Sequence, residues 1–153
     1  MLTTTNILVG VPAGAVTQTV TLIYTDAFGA DGTPPGGNFV FAGRAFTLTA
    51  LQGGEPQQGF VFLIPVTVTL DYTNPDVIGL IESQIQIYYY DADTGTWLVD
   101  GVSVIERDVD NNRIAFTILH LTRFASFAPS GPKVFLPLIT RDNLPVRMPA
   151  QLK

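Results

Sequence analysis

The hydrophobic and polar positions along this chain follow the pattern of short β-strands. Residues 16–24 (VTQTVTLIY) and 60–72 (FVFLIPVTVTLDY) are rich in β-branched side chains, and residues 84–91 (QIQIYYYD) begin with a regular polar and apolar alternation. This alternation has the period of a strand with one face buried. Further strands are predicted over residues 38–51, 96–99, 102–106 and 113–119.

Turn-forming residues separate these strands. Residues 33–37 (TPPGG), 52–58 (QGGEPQQ) and 108–112 (DVDNN) combine glycine, proline, aspartate and asparagine, which favour tight connections. Residues 74–76 (NPD) predict one short helical turn, because proline is favoured at the first helical position. Eight to ten short strands with turns at this spacing are typical of an all-β, antiparallel sandwich.

The chain divides into one domain and a tail. Residues 1–128 are predicted to form the sandwich, a length that allows about 70% of the unfolded surface to be buried. Residues 129–153 begin with the linker PSGP and continue as an extended tail with one apolar strand. That strand consists of Val134, Phe135, Leu136, Leu138 and Ile139, around a proline. Two arrangements remain open: it pairs within its own sandwich, or it adds to the sheet edge of a neighbouring copy.

Composition points to extensive burial by partners. Charged residues make up 14% of the chain and hydrophobic residues 46%, whereas soluble domains carry about 25% charged residues. The apolar composition indicates either a large core or a surface covered by other molecules. We therefore expect neighbouring copies or adjacent domains as partners, in a homo-oligomer or polymer.

Several functions are not expected. The chain has no cysteine, which excludes disulfides and thiolate metal sites, and its net charge of −5 does not favour nucleic-acid binding. No stretch approaches the roughly 20 apolar residues of a membrane-spanning helix. No cofactor is expected.

Two segments resemble a known kind of module. Residues 9–16 (VGVPAGAV) resemble the opening of ZU5-type β-sandwich domains, and residues 120–125 (HLTRFA) resemble the closing motif of GAIN domains with a GPS motif. Similar modules occur in bacterial surface proteins, often before a segment such as residues 135–138 (FLPL). The resemblance implies an extracellular location. It also implies self-cleavage between Leu121 and Thr122, with Thr122 as nucleophile and His120 as its base. A hydroxyl needs such a base, and imidazole accepts protons near neutral pH.

Two other groups are candidates for ligand binding. Trp97 and Tyr89 would contact a glycan if their rings were exposed, but aromatic residues on adjacent strands more often pack together. Asp108, Asp110 and Asn112 are spaced like the first oxygen ligands of a calcium loop. However, Arg113 replaces the required glycine, so only a looser site is open.

Together these features predict a non-catalytic structural or adhesive module at the cell surface. The first alternative is a self-processing domain that cleaves its own chain once, and the second is a carbohydrate-binding module. Turnover catalysis is not expected, because no nucleophile, base and oxyanion donor recur together elsewhere in the sequence.

Overall fold

The computed structural model describes residues 1–3 and 6–132, which form two antiparallel sheets packed face to face. The predicted all-β sandwich is confirmed. The described residues contain eleven strands, of which three (β1, β5 and β8) are only two or three residues long. In chain order they are β1 Leu2–Thr3, β2 Ile7–Gly10, β3 Thr21–Ala27, β4 Phe39–Gln52, β5 Glu55–Gln57, β6 Val61–Asp71, β7 Gln86–Asp91, β8 Thr96–Leu98, β9 Val102–Asp108, β10 Arg113–His120 and β11 Arg123–Pro129.

The strand order shows which strands lie at the edges. The first sheet has the order β1-β2-β6-β10-β9, and the second has the order β3-β4-β11-β7-β8, with β5 paired to β4. Within the described residues, β3 and β8 are therefore the edges of the second sheet, and β1 and β9 those of the first. The chain crosses from the first sheet to the second between β10 and β11.

The main core lies between the sheets and is centred on three phenylalanine rings. Phe46 of β4 stacks on Phe124 of β11 with ring centroids 5.5 Å apart, and it also contacts Phe116 of β10 at 6.5 Å. All three side chains are fully buried. Each comes from a strand whose alternate positions point inward, as the period-two pattern predicts.

A second apolar cluster covers the outer face of the second sheet. It consists of Ala45, Trp97, Ala125 and Phe127, packed against partly buried neighbours that include Tyr88 and Tyr90. Because the second sheet has apolar packing on both faces, β11 is buried along almost its whole length.

Three details differ from the sequence-based expectation. Residues 16–20 form a connection rather than a strand, and β3 begins only at Thr21. The predicted helical turn is present as the 3-10 turn Asn74–Val77, and an additional 3-10 turn, Glu82–Gln84, follows it. The sandwich extends one residue beyond the predicted boundary, to Pro129, and Gly131 still donates a hydrogen bond to the main-chain oxygen of Gly79 at 2.8 Å.

Both long strands contain a local irregularity in their pairing. β4 is continuous through Gly43, whose φ of 78° accompanies a shift in the pairing with β11. β6 is also continuous through Pro65. Its pairing with β10 is interrupted there, because Ile118 pairs with Val66 and the next paired residue of β10, His120, pairs with Val61. Glycine at a bulge and proline at an unpaired position are the expected solutions to these backbone constraints.

Among the described residues, no helix has the length and apolarity needed to cross a membrane.

Candidate functional site

The HLT segment, His120 to Thr122, forms the crossing between the two sheets. His120 is the last residue of β10 and Arg123 is the first residue of β11, so only Leu121 and Thr122 lie between the two strands. The backbone of this crossing is held on both sides: the amide of Leu121 donates to the oxygen of Phe60, and the oxygen of Thr122 accepts from the amide of Leu48, both at 3.0 Å. The crossing is short and firmly anchored.

The imidazole of His120 lies in a largely apolar environment. Its ring contacts that of Tyr89 edge-on, with centroids 4.5 Å apart. Its Nε2 is buried without a hydrogen-bond partner among the described residues. This burial lowers the pKa of His120 below its ordinary value, because desolvation disfavours the charged imidazolium. This shift favours the neutral form of the imidazole at pH 7.

Thr122 makes a different contact from the one that self-cleavage requires. Its Oγ1 lies 3.5 Å from the main-chain oxygen of Tyr90, at the limit of a hydrogen bond. In the described part of the chain, no hydrogen bond joins Thr122 to His120. The fold thus places the imidazole of His120 and the hydroxyl of Thr122 in the same crossing. The imidazole packs against the ring of Tyr89, whereas the hydroxyl faces the main-chain oxygen of Tyr90.

A cleft of about 660 Å³ with a mixed polar and apolar lining opens beside this crossing. It is bordered by the HLT segment, by the β7–β8 turn and by the loop after β5. Carboxylate, amide, hydroxyl and guanidinium groups therefore line one opening, together with two tyrosine rings. The side chains that give it this character are Thr47, Thr49, Gln57, Gln58, Asp91, Asp93, Tyr89, Tyr90 and Arg123.

The structure separates Trp97 from Tyr89. Trp97 lies directly opposite Tyr90 in the β7–β8 hairpin and belongs to the cluster on the outer face. It is 4% exposed, and its indole N–H donates to the main-chain oxygen of Asp31 at 2.8 Å. Tyr89 points to the opposite face of the sheet, against His120. The two rings do not form one platform, and the Trp97 ring is covered.

The loop over Trp97 is a feature that the sequence pattern does not reveal. Arg123 binds this loop through two contacts, a 2.9 Å ion pair with Asp31 and a 3.1 Å hydrogen bond to the oxygen of Gly29. Its guanidinium also lies 5.8 Å from the centre of the Trp97 ring. The only sequence signal was the position of Arg123 inside the HLTRFA motif.

The candidate calcium residues are engaged in a turn. Both carboxylate oxygens of Asp108 accept hydrogen bonds from Asn111, one from its amide and one from its side chain. The side chain of Asn112 donates to Asn74 at 2.7 Å, and Asp110 is exposed. Among the described residues, no group of three or more His, Asp or Glu side chains is close enough to hold a metal ion.

An apolar cleft at the flank of the sandwich formed by β1 and β3 is the second candidate site. Its volume is about 480 Å³, and it lies between the edge strands β1 and β3. Several apolar side chains at this flank pack against the core but are only partly buried, so solvent reaches the edge of the core here. Residues Leu2, Val11, Val16, Thr19, Val20, Thr21, Leu22 and Phe62 line it together with Met1. The predicted assembly strand, Val134 to Ile139, lies outside the described residues.

Comparison with known proteins gives no relative: no protein-family model, no curated protein and no solved structure matches this chain.

Proposed function

We propose that this chain is a non-catalytic structural module of an extracellular surface protein or filament. In this proposal it associates with other copies through its apolar C-terminal strand. The observation that carries the proposal is the unprotected β3 edge beside the apolar cleft.

The β3 edge lacks most of the features that normally prevent strand addition; the exception is Asp26, which lies on the same face as Leu22 and Tyr24. Natural edge strands are protected by lysine, proline, bulges or covering loops. β3 is seven residues long, contains neither lysine nor proline, and pairs with β4 in an unbroken register from Thr21 to Ala27. Its one charged residue is Asp26, near its end. Such an edge offers free backbone donors and acceptors to another strand.

The side chains of β3 add an apolar surface to this edge. Leu22 and Tyr24 point toward the core but are only partly buried, and Ile23 on the other face is 40% exposed. Burial of a leucine-sized side chain contributes about 1.5–3 kcal/mol. An added strand with two or three apolar residues would therefore gain several kcal/mol in addition to its backbone hydrogen bonds.

Sedimentation velocity of the full chain tests this proposal. We expect association that increases with concentration, and we expect it to be lost in the variant Leu136→Asp/Leu138→Asp. Ser83→Asp/Ser103→Asp is the matched control, since both serines are exposed and the added charge is the same. Association that persists in the Leu136→Asp/Leu138→Asp variant would contradict the proposal, as would a full chain that stays monomeric at every concentration.

Single self-cleavage at the HLT segment is the second candidate. The supporting observation is the neutral imidazole of His120, whose Nε2 has no partner among the described residues, two positions before Thr122. Because Thr122 contacts Tyr90 instead, cleavage requires its hydroxyl to rotate or move toward His120. Intact-mass analysis under denaturing conditions tests this candidate. Fragments that end at Leu121 and begin at Thr122, absent from Thr122→Ala, would support it, whereas one intact mass after long incubation would exclude it.

A further inference from the structure

We infer that the apolar cleft between β1 and β3 is the acceptor for the C-terminal strand of another copy, so that copies join head to tail. This inference rests on the proposed function and adds the acceptor site, the origin of the donor and the symmetry of the assembly.

The positions of the cleft and of the chain exit are fixed by β4. At one end of β4, Phe39 pairs with Pro129, the last residue of β11. Toward the other end, Leu51 pairs with Thr21, which lines the cleft. Twelve positions along β4, which has an irregularity at Gly43, span at most about 40 Å at about 3.3 Å per residue. The chain therefore leaves the sandwich at the end opposite the cleft.

The donor strand cannot reach the cleft of its own chain. The backbone is still anchored at Gly131 by its hydrogen bond to Gly79, and only Lys133 separates Pro132 from Val134. An extended chain spans at most about 3.6 Å per residue. Val134, three residues beyond Gly131, thus lies within about 11 Å of that anchor. The nearer end of β3, Ala27, pairs with Ala45, which is six positions or about 20 Å along β4 from Phe39. A donor strand in this cleft must come from a second copy.

The sequence of the donor strand fits addition to one edge only. In a strand, both the side-chain face and the direction of the backbone N–H alternate with each residue. Val134, Leu136 and Leu138 therefore share one face and one edge, and all three have an N–H to donate. Pro137 lies in the other register and has no N–H. An added strand can pair with β3 through the first set, and Pro137 then discourages further pairing on the new outer edge.

The separation of the two surfaces determines the symmetry. Donor and acceptor are different surfaces at opposite ends of the molecule, so each contact is heterologous and leaves a free acceptor and a free donor at the ends. Heterologous contacts produce open filaments unless the rotation closes a ring. A two-fold dimer would not be the first product of this assembly.

Mixing two blocked variants of the full chain tests the inference. The acceptor-blocked variant is Thr19→Glu/Thr21→Glu, which places two charges in the cleft at exposed positions that leave the core intact. The donor-blocked variant is Leu136→Asp/Leu138→Asp, and Ser83→Glu/Ser103→Glu is the control with the same added charge. A second acceptor variant, Thr25→Glu, changes an exposed position of β3 outside the cleft and keeps the test independent of any single substitution.

The expected result is that each blocked variant is monomeric alone and that an equimolar mixture forms a 1:1 dimer. The control should associate like the unmodified chain. If the donor-blocked variant is monomeric while both acceptor variants still form filaments, the cleft is not the acceptor, although the proposed function survives. If the donor-blocked variant itself still associates, the proposed function fails as well. A mixture that stays monomeric when both variants are monomeric alone would overturn the head-to-tail arrangement.

Discussion

The indole N–H of Trp97 donates a hydrogen bond to the main-chain oxygen of Asp31 at 2.8 Å. This contact joins the β7–β8 hairpin to the loop that precedes β4, across the outer face of the second sheet. Arg123 reinforces it through its ion pair with Asp31. The outer face of this sheet is therefore a small second core, and Trp97 is its largest residue.

Removing Trp97 should destabilise the fold strongly. Trp97→Ala deletes a side chain that is 4% exposed and leaves the oxygen of Asp31 without its donor. Truncation of a buried aromatic residue typically costs about 3–5 kcal/mol. Urea denaturation followed by far-ultraviolet circular dichroism measures this cost. Phe28→Ala is the control, since Phe28 is 99% exposed and its loss should change stability by less than about 0.5 kcal/mol. Equal effects of the two substitutions would show that the second core does not exist.

Gly43 should not tolerate a side chain. Its φ is 78°, and a Cβ added there would collide with the side chain of Asp76. Gly53 provides a matched control, because its φ is 61° but no atom lies within 4 Å of an added Cβ. The left-handed conformation alone costs about 1–2 kcal/mol for a non-glycine residue. We expect Gly53→Ala to lose about that amount of unfolding free energy and Gly43→Ala to lose clearly more. Similar losses of unfolding free energy at both positions would mean that the Asp76 side chain moves aside without destabilising the fold.

Ser126 should stabilise the bulge in β4. Its hydroxyl donates to the oxygen of Ala42 at 2.9 Å and accepts from the amide of Arg44 at 3.2 Å. Ser126 is 3% exposed, so Ser126→Ala leaves these buried backbone groups unsatisfied, at an expected cost of about 1–3 kcal/mol. Equilibrium denaturation beside the exposed control Ser83→Ala measures it. A Ser126→Ala protein as stable as the control would contradict this role.

His120 should make stability dependent on pH near neutrality. Burial lowers the pKa of His120 in the folded state, so the unfolded chain binds its proton more readily. Stability should therefore decrease as the pH falls from about 6.5, the ordinary histidine value, to the lowered folded pKa. His120 is the single histidine of the chain, which isolates the effect above the range where carboxylates titrate. Denaturation midpoints from pH 7.5 to 5.5 should show this slope, and His120→Asn should remove it. A slope of the opposite sign would mean that the ring gains a partner for its charged form.

Much of the fold follows from the sequence because alternation in a half-buried strand is a local signal. The strands β6 and β9 are examples, since their inward positions alternate with exposed ones. No such alternation in the sequence marks where β10 ends and β11 begins. The residues of β11 are buried on both faces, because apolar clusters lie on both sides of the second sheet, and a strand of that kind shows no alternation.

Residues 16–20 show the limit of β-propensity. Val16 and Val20 favour extended conformations, but they lie in the crossing from β2 to β3 and line the cleft. Strand formation there would need a pairing partner, and sequence alone does not reveal which segments are adjacent. The same reason hides the contact between Arg123 and Asp31, which are 92 residues apart. The HLT crossing was identifiable because its residues are contiguous, but the separation of His120 from Thr122 depends on Tyr89 and Tyr90.

Hydrogen exchange along β3 tests the central claim most directly. The full chain at high concentration is compared with the Leu136→Asp/Leu138→Asp variant, and amide protection is measured for each peptide. If the donor strand of another copy adds to β3, the amides of residues 21–27 that face away from β4 become protected in the full chain only, together with those of Val134, Leu136 and Leu138. Unchanged exchange in β3, with new protection at the β8 or β9 edge or nowhere, would contradict the account.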